Sequence, residues 1–141
     1  MDTNSTQINN KPAVLIYSSE SYYLCGLFYE IQNKLGNALK EKQDADALEL
    51  KFKKNKNAYK REISVPINFA GGEIEGNKMD FIFEKIILID AKAKKYITRE
   101  DYREMLRYLK ATGLKLGIIA NFRPQKVMIK RIINNSINHA N

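Results

Sequence analysis

Three side chains near the middle of the sequence, Asp80, Asp90 and Lys92, have the types and spacing to do chemistry together. They lie within KMDFIFEKIILIDAKAKK, residues 78–95, where Asp80 opens one short apolar run and Asp90 and Lys92 close the next. Phe81, Phe83, Ile86, Ile87, Leu88 and Ile89 favour strands and are too few for a stable helix. The spacing therefore predicts two strands joined by a tight turn near Glu84–Lys85. Alternation along a strand sends Asp90 and Lys92 to one face and Ala91 to the other. With the turn at 84–85, Asp80 falls opposite residue 89 or 90, so two carboxylates and an ammonium converge at the end of the hairpin. Unpaired carboxylates there repel, and one shifts its pKa unless something positive lies between them. A divalent cation satisfies that arrangement, and oxygen ligands suit Mg²⁺ or Mn²⁺. An aspartate at a strand end is also a common turn residue, so D-x-K alone decides nothing.

A third acid comes from a predicted helix over 38–54, whose sparse apolar face is Ala45, Leu48 and Phe52. Extending that spacing back by four residues reaches Glu41. An inward-facing carboxylate is costly unless it meets a cation or donors, which makes Glu41 a candidate third ligand. The alternative is a first-turn acid favoured by the helix dipole.

The other elements follow from periodicity. Leu24, Leu27, Phe28, Ile31 and Leu35 form one stripe of a helix over 22–35, with Ser18, Ser19 and Ser21 as N-cap candidates and Gly36-Asn37 as the stop. Its aromatics Tyr22, Tyr23, Phe28 and Tyr29 suit core packing and a homodimer surface. Residues 59–69 alternate as a strand, with Pro66 pointing to an edge position, and two glycine-containing stretches bracket the loop to the central hairpin. A helix over 99–112 buries Tyr102, Met105, Leu106 and Leu109, carries Glu104 and Tyr108 at i and i+4 beside that stripe, and ends at Gly113. KLGIIANF, residues 115–122, is a buried strand, so strand–helix–strand predicts a parallel crossover. Val127, Ile129, Ile132 and Ile133 fit a last helix or strand. Residues 1–12 and 135–141 are expected to be tails around a single domain over 13–134.

Composition narrows the chemistry. At 141 residues, 44% hydrophobic and 28% charged, the chain can build one core. With one cysteine and one histidine it has no internal disulfide, no cysteine-rich zinc cluster and no histidine-rich metal site. Hydrolytic chemistry must rest on carboxylates and a lysine. The N-terminal stretch lacks the basic and apolar regions of a signal peptide, and no apolar run is long enough to span a membrane, so a cytoplasmic protein is expected. The net charge of +8 is unevenly spread. Residues 51–61 hold Lys51, Lys53, Lys54, Lys56, Lys60 and Arg61 without an acid, and Lys115, Arg123, Lys126, Lys130 and Arg131 follow in a second acid-free block. Such blocks favour a polyanionic partner, nucleic acid before an acidic membrane.

The element order, with acids at these places, resembles the PD-(D/E)XK nuclease superfamily, and within it the small prokaryotic GxxExxY proteins. The resemblance runs from about Leu15 to Asn134 through LIYSSESYYLCGLFYEIQNKLG, YKREISVPI, MDFIFE, IILIDAK and YLKATGLKLGIIANF. It implies a restriction-endonuclease-like α/β (α+β) core, a mixed sheet flanked by helices. Asp80 would match the first acid, Asp90 the second, Lys92 the lysine and Glu41 the glutamate of the family name. Ala38 and Asp44 stand where that signature has glycine and tyrosine, Glu104 where a glutamine is common, and Met79 in place of the proline. The resemblance implies phosphodiester hydrolysis, in DNA before RNA. Glu41, Asp80, Asp90 and the carbonyl of residue 91 would hold Mg²⁺ or Mn²⁺, and Lys92 would orient water or stabilise the transition state. Glu104 and Tyr108 would support these groups by hydrogen bonds, while Lys53, Lys54, Lys56, Lys60, Arg61, Lys115, Arg123 and Lys126 would contact phosphates. The eroded signature leaves a second reading, a non-catalytic nucleic-acid-binding module that keeps the fold.

Overall fold

The computed structural model describes residues 16–135, so the expected tail over 1–12, and all but the first residue of the one over 135–141, lie outside it. In chain order the elements are α1 (Ser18–Leu35), α2 (Glu41–Lys54), β1 (Tyr59–Ser64), β2 (Ile67–Phe69), β3 (Gly72–Ile74), β4 (Lys78–Phe83), β5 (Ile87–Lys92), α3 (Arg99–Thr112), β6 (Leu116–Asn121) and β7 (Met128–Ile133). Five strands form one sheet in the order β1-β4-β5-β6-β7, while β2 and β3 form a separate hairpin. β5 and β6 are parallel, joined by the α3 crossover, and the other neighbours are antiparallel. This is the mixed α/β sheet with flanking helices that the resemblance implies.

Strand alternation gives the sheet two apolar faces. Phe81, Phe83, Ile87, Ile89 and Ala91 pack with Leu24, Phe28, Leu48 and Phe52 of α1 and α2. Leu88 and Ile119 pack on the other face with Met105, Tyr108 and Leu109 of α3. There α3 comes so close to β6 that a Cβ on Gly117 would stand 2.4 Å from the Met105 sulfur. The Gln32 side chain closes the first face, donating to the Phe122 and Pro124 carbonyls and accepting the Val127 N–H at 2.7 Å.

Several local expectations are corrected. α1 starts at Ser18, with Tyr17 as the cap in the left-handed region and no side chain capping it, so the serines do not act as caps. Leu35 and Tyr102 are half-exposed, and Tyr108 takes the buried place expected of Tyr102. α2 begins at Glu41, three residues later than expected. The strand expected over 59–69 ends at Ser64, because Pro66 has no N–H for a ladder and the chain turns out into the β2–β3 hairpin. The last segment, 128–133, is a strand. Among the described residues, no helix is long and apolar enough to cross a membrane.

Helix α2 carries an unexpected cost. Its inward-facing acid is Asp44, 1% exposed, whereas Glu41 is exposed at the first turn. The stripe does extend back by four residues, but from Leu48 to Asp44 and not from Ala45 to Glu41. Both Asp44 carboxylate oxygens lack a hydrogen-bond partner among the described residues. Burial, with the charge of Glu41, pushes its pKa up to about 6. The folded chain holds this proton more tightly than the unfolded one, so the ionised carboxylate costs stability progressively as pH rises from about 4 through 6. Asp44→Asn is expected to gain about 1–3 kcal/mol at pH 7.5 and little at pH 4, measured by urea denaturation at the two pH values.

Candidate active site

A two-residue turn fixes the site's register. Glu84 and Lys85 have φ of 53° and 66°, the left-handed pair of a tight hairpin turn, and the Ile86 N–H returns to the Phe83 carbonyl at 3.0 Å. The ladder then runs Phe83–Ile87, Ile82–Leu88, Phe81–Ile89. One step further, Asp80 and Asp90 face each other at the open end. The Asp80 carboxylate accepts the Ala91 N–H at 2.7 Å, taking the place of the next ladder bond. Asp90 and Lys92 point to the α3 side and pair at 2.9 Å, both largely buried.

Helix α3 supplies the opposing wall. Thr98 caps it, accepting the Asp101 N–H, and Asp101 returns a bond to the Thr98 N–H. Asp101 and Glu104 then face the Lys92 ammonium at 3.8 and 3.7 Å. Glu104 is held from two sides, by the Tyr108 hydroxyl at 2.9 Å and the Asn77 amide at 3.0 Å. Lys94 pairs with Asp101 at 2.8 Å, and Asn121 pins the Lys94 backbone by accepting its N–H and donating to its carbonyl.

These contacts set the electrostatics. Burial and the charge of Asp80, opposed by Lys92, push Asp90 up to about 7. For Lys92 burial works against the charge, yet Asp90, Glu104 and Asp101 together hold its pKa above the ordinary lysine value. Burial and the bond to Glu104 push the Tyr108 hydroxyl up to about 12. Asp101 is buried too, but Lys94 and the Thr98 N–H hold it below the usual carboxylate range.

The structure thus brings together Asp80, Asp90, Lys92, Glu104 and Tyr108. Glu41 is exposed at the start of α2, and among the described residues no group of three or more acid, histidine or cysteine side chains is gathered closely enough to hold a cation. Two buried carboxylates that strain against each other still fit a hard divalent ion, because Mg²⁺ commonly takes one or two carboxylates and fills its shell with water, carbonyl and phosphate oxygens. Asn77, Lys94, Asp101 and Asn121 were not picked out from sequence. Thr98-x-x-Asp101 is a readable capping box, and Asn121 is a polar residue closing an apolar strand.

The basic residues divide between the two ends of the sheet. Lys53, Lys54, Lys56, Lys60 and Lys115 are exposed towards the Glu84–Lys85 turn end of the sheet; of these, Lys60 lies opposite Ile82, about 7 Å along the strand from Asp80. Arg123 and Lys126, beyond the end of β6, lie exposed at the acidic end. Arg61 is committed to packing: it pairs with Asp46 at 3.0 Å and Glu49 at 2.7 Å and lies over the Phe81 ring. Arg131 is likewise tied to α1, donating to the Ile16 carbonyl and the Ser21 hydroxyl.

No curated protein matches the sequence. Among solved structures, the crystal structure of SSO0001 superposes with a TM-score of 0.52 at 23% identity, covering 68% of this chain and 50% of that one. The chain therefore spans half the length of that protein, and the likeness shows a shared fold. An alkaline exonuclease (LHK-Exo) from Laribacter hongkongensis superposes at TM-score 0.49 and 11% identity, covering 87% of this chain and 73% of the other. A family model for the PD-(D/E)XK nuclease superfamily matches residues 18–132. That match takes in both helical layers and all five strands of the main sheet, and on it the chain belongs to the PD-(D/E)XK nuclease superfamily.

Proposed function

We propose that the protein is a metal-dependent nuclease that hydrolyses phosphodiester bonds in DNA, at Asp80, Asp90 and Lys92, and that within the superfamily it is a GxxExxY-type member. The observation that carries this reading is the pairing of Asp80 and Asp90 at the ends of two adjacent strands. Burial and mutual repulsion make the doubly ionised pair costly there unless a cation joins it. When bound between them, a Mg²⁺ or Mn²⁺ ion would lower the pKa of a water and offset charge gathering on the phosphate.

The chain's own groups supply the rest. Asp80 is fixed by the Ala91 N–H, so its free oxygen is presented without rotamer search. Lys92 stays protonated because acids surround it, so it serves as a fixed positive charge towards a phosphate oxygen and not as a base. Glu104, clamped by Tyr108 and Asn77, positions that ammonium. Glu41, exposed on α2, is proposed as an auxiliary carboxylate and not as a principal ligand.

Two experiments test the reading. Incubated with linear, single-stranded and four-way-junction DNA and Mn²⁺ or Mg²⁺, wild-type protein is expected to cut. Asp90→Ala is expected to lose about a hundredfold or more of that activity while binding DNA as well or slightly better, since a negative charge is gone. Cutting that persists in an Asp80→Ala/Asp90→Ala double variant would falsify it, and chelator-insensitive binding without any cutting would favour the binding-only module, whose support is the replaced signature at Ala38 and Asp44. Calorimetric titration with Mn²⁺ is expected to show binding lost in Asp80→Ala and in Asp90→Ala but largely kept in Glu41→Gln.

A further inference from the structure

Beside the acid pair a cleft of about 360 Å³ opens between the start of β4 and α3, lined by Asn77, Glu100, Asp101, Arg103, Glu104 and Arg107. Its carboxylates and its guanidiniums differ in how far their charges are already used. Asp101 is neutralised by Lys94 and faces Lys92, and Glu104 takes bonds from Tyr108 and Asn77 and faces Lys92 as well. Arg107 makes no ion pair among the described residues and lies 5.2 Å from the Tyr108 ring centre, its charge open to solvent. Arg103 has only a 3.9 Å contact with Glu100, itself 83% exposed. So Asp101 and Glu104 are matched from within, while among the described residues Arg107 has no acidic partner and Arg103 has only the distant, exposed Glu100.

These two loosely held guanidiniums stand where a polyanion would need them. Asp80, Asp90, Asp101 and Glu104 make this end of the sheet acidic, and most of the lysines read from the sequence as phosphate contacts lie at the opposite end. A nucleic-acid strand brought to Asp80 and Asp90 is repelled unless cations flank the approach. Arg103 and Arg107 are one helical turn apart on one side of α3, about 6 Å along its axis, so both can meet one strand. Guanidiniums suit phosphate oxygens because they donate in a planar fork. We infer that Arg103 and Arg107 form a phosphate-binding rim that grips the nucleic-acid backbone beside the scissile phosphate. The inference rests on the nuclease reading of the acid pair and names the surface through which that site takes its substrate. Asn77 gives the rim a link to the chemistry, since its amide holds Glu104, which faces Lys92.

The test is fluorescence anisotropy with a labelled duplex and a labelled single strand in the presence of EDTA, at salt from 50 to 200 mM, using an Arg103→Gln/Arg107→Gln variant. A Lys85→Gln/Lys110→Gln variant, changed at exposed positions of the far end, is the comparison. The rim variant is expected to bind about tenfold or more weakly at 50 mM salt, with a salt dependence shallower by about two counterions on duplex. The far-end variant is expected to stay close to wild type. In cleavage, the rim variant is expected to raise KM with kcat largely kept, because these arginines hold substrate and do not touch the reacting atoms. Wild-type binding with an unaffected rim variant overturns the rim while the nuclease reading stands. Equal loss from both variants also overturns it, in favour of diffuse attraction over the whole basic surface. Wild-type protein that binds neither DNA overturns the rim and the nuclease reading together.

Discussion

The acidic end of the sheet depends on the Lys92 ammonium. It touches both walls, pairing with Asp90 on β5 and facing Asp101 and Glu104 on α3. Without it, carboxylates from a strand and a helix would oppose each other across a largely buried gap, and the crossover that lays α3 on the sheet would bring like charges together. With it, the same acids become its anchor. The ammonium is kept charged and in place, and the strain is concentrated on Asp90, where a cation can relieve it. The order of the chain serves this arrangement: Lys92 ends β5, and a few residues later the Thr98 cap turns α3 so that Asp101 and Glu104 face back.

What could be seen in the sequence was what strand parity and helix period dictate. The hairpin, its turn at Glu84–Lys85, the common face of Asp90 and Lys92, the bounds of α3 and the parallel crossover all follow from apolar spacing and turn chemistry. Where packing decides, spacing misled. Glu41 and Asp44 differ by only three residues on a helix with few apolar positions, and nothing in the spacing says that the second is the buried one. Pro66 signalled an edge, but the chain does more than end a strand there, since it leaves the sheet for a separate hairpin. The partners of Lys92 were partly hidden for a different reason. Asn77 and Asn121 matter through bonds to residues 27 positions away, and no local pattern carries that.

Basic composition suggested a polyanion partner without saying where it would lie. In three dimensions the two sequence blocks serve several purposes. Arg61 and Arg131 are structural, tying β1 to α2 and β7 to α1. Most of the lysines expected as contacts lie towards the hairpin turn, while Arg123 and Lys126 stand beyond the end of β6 with the acids. Arg103 and Arg107 of α3 add further cations at that end, interleaved with acids in sequence so that they never form a block. Net charge counts cations, but the fold decides which of them remain unpaired.

The tight turn between β4 and β5 has a consequence for how such a chain can vary. Both carboxylates and the lysine are carried by thirteen consecutive residues, Asp80 to Lys92, whose register is set by a two-residue connection with no slack. One residue inserted or deleted between Phe81 and Ile89 would carry the acids out of step or turn them to the opposite face, towards Phe28 and Phe52. The β2–β3 hairpin pairs only with itself, and its tip at Ala70–Gly71 is exposed, so added or lost residues there leave the sheet's pairing intact. Length variation among chains of this kind should therefore gather at the outlying hairpin and be absent from the short span that holds the chemistry.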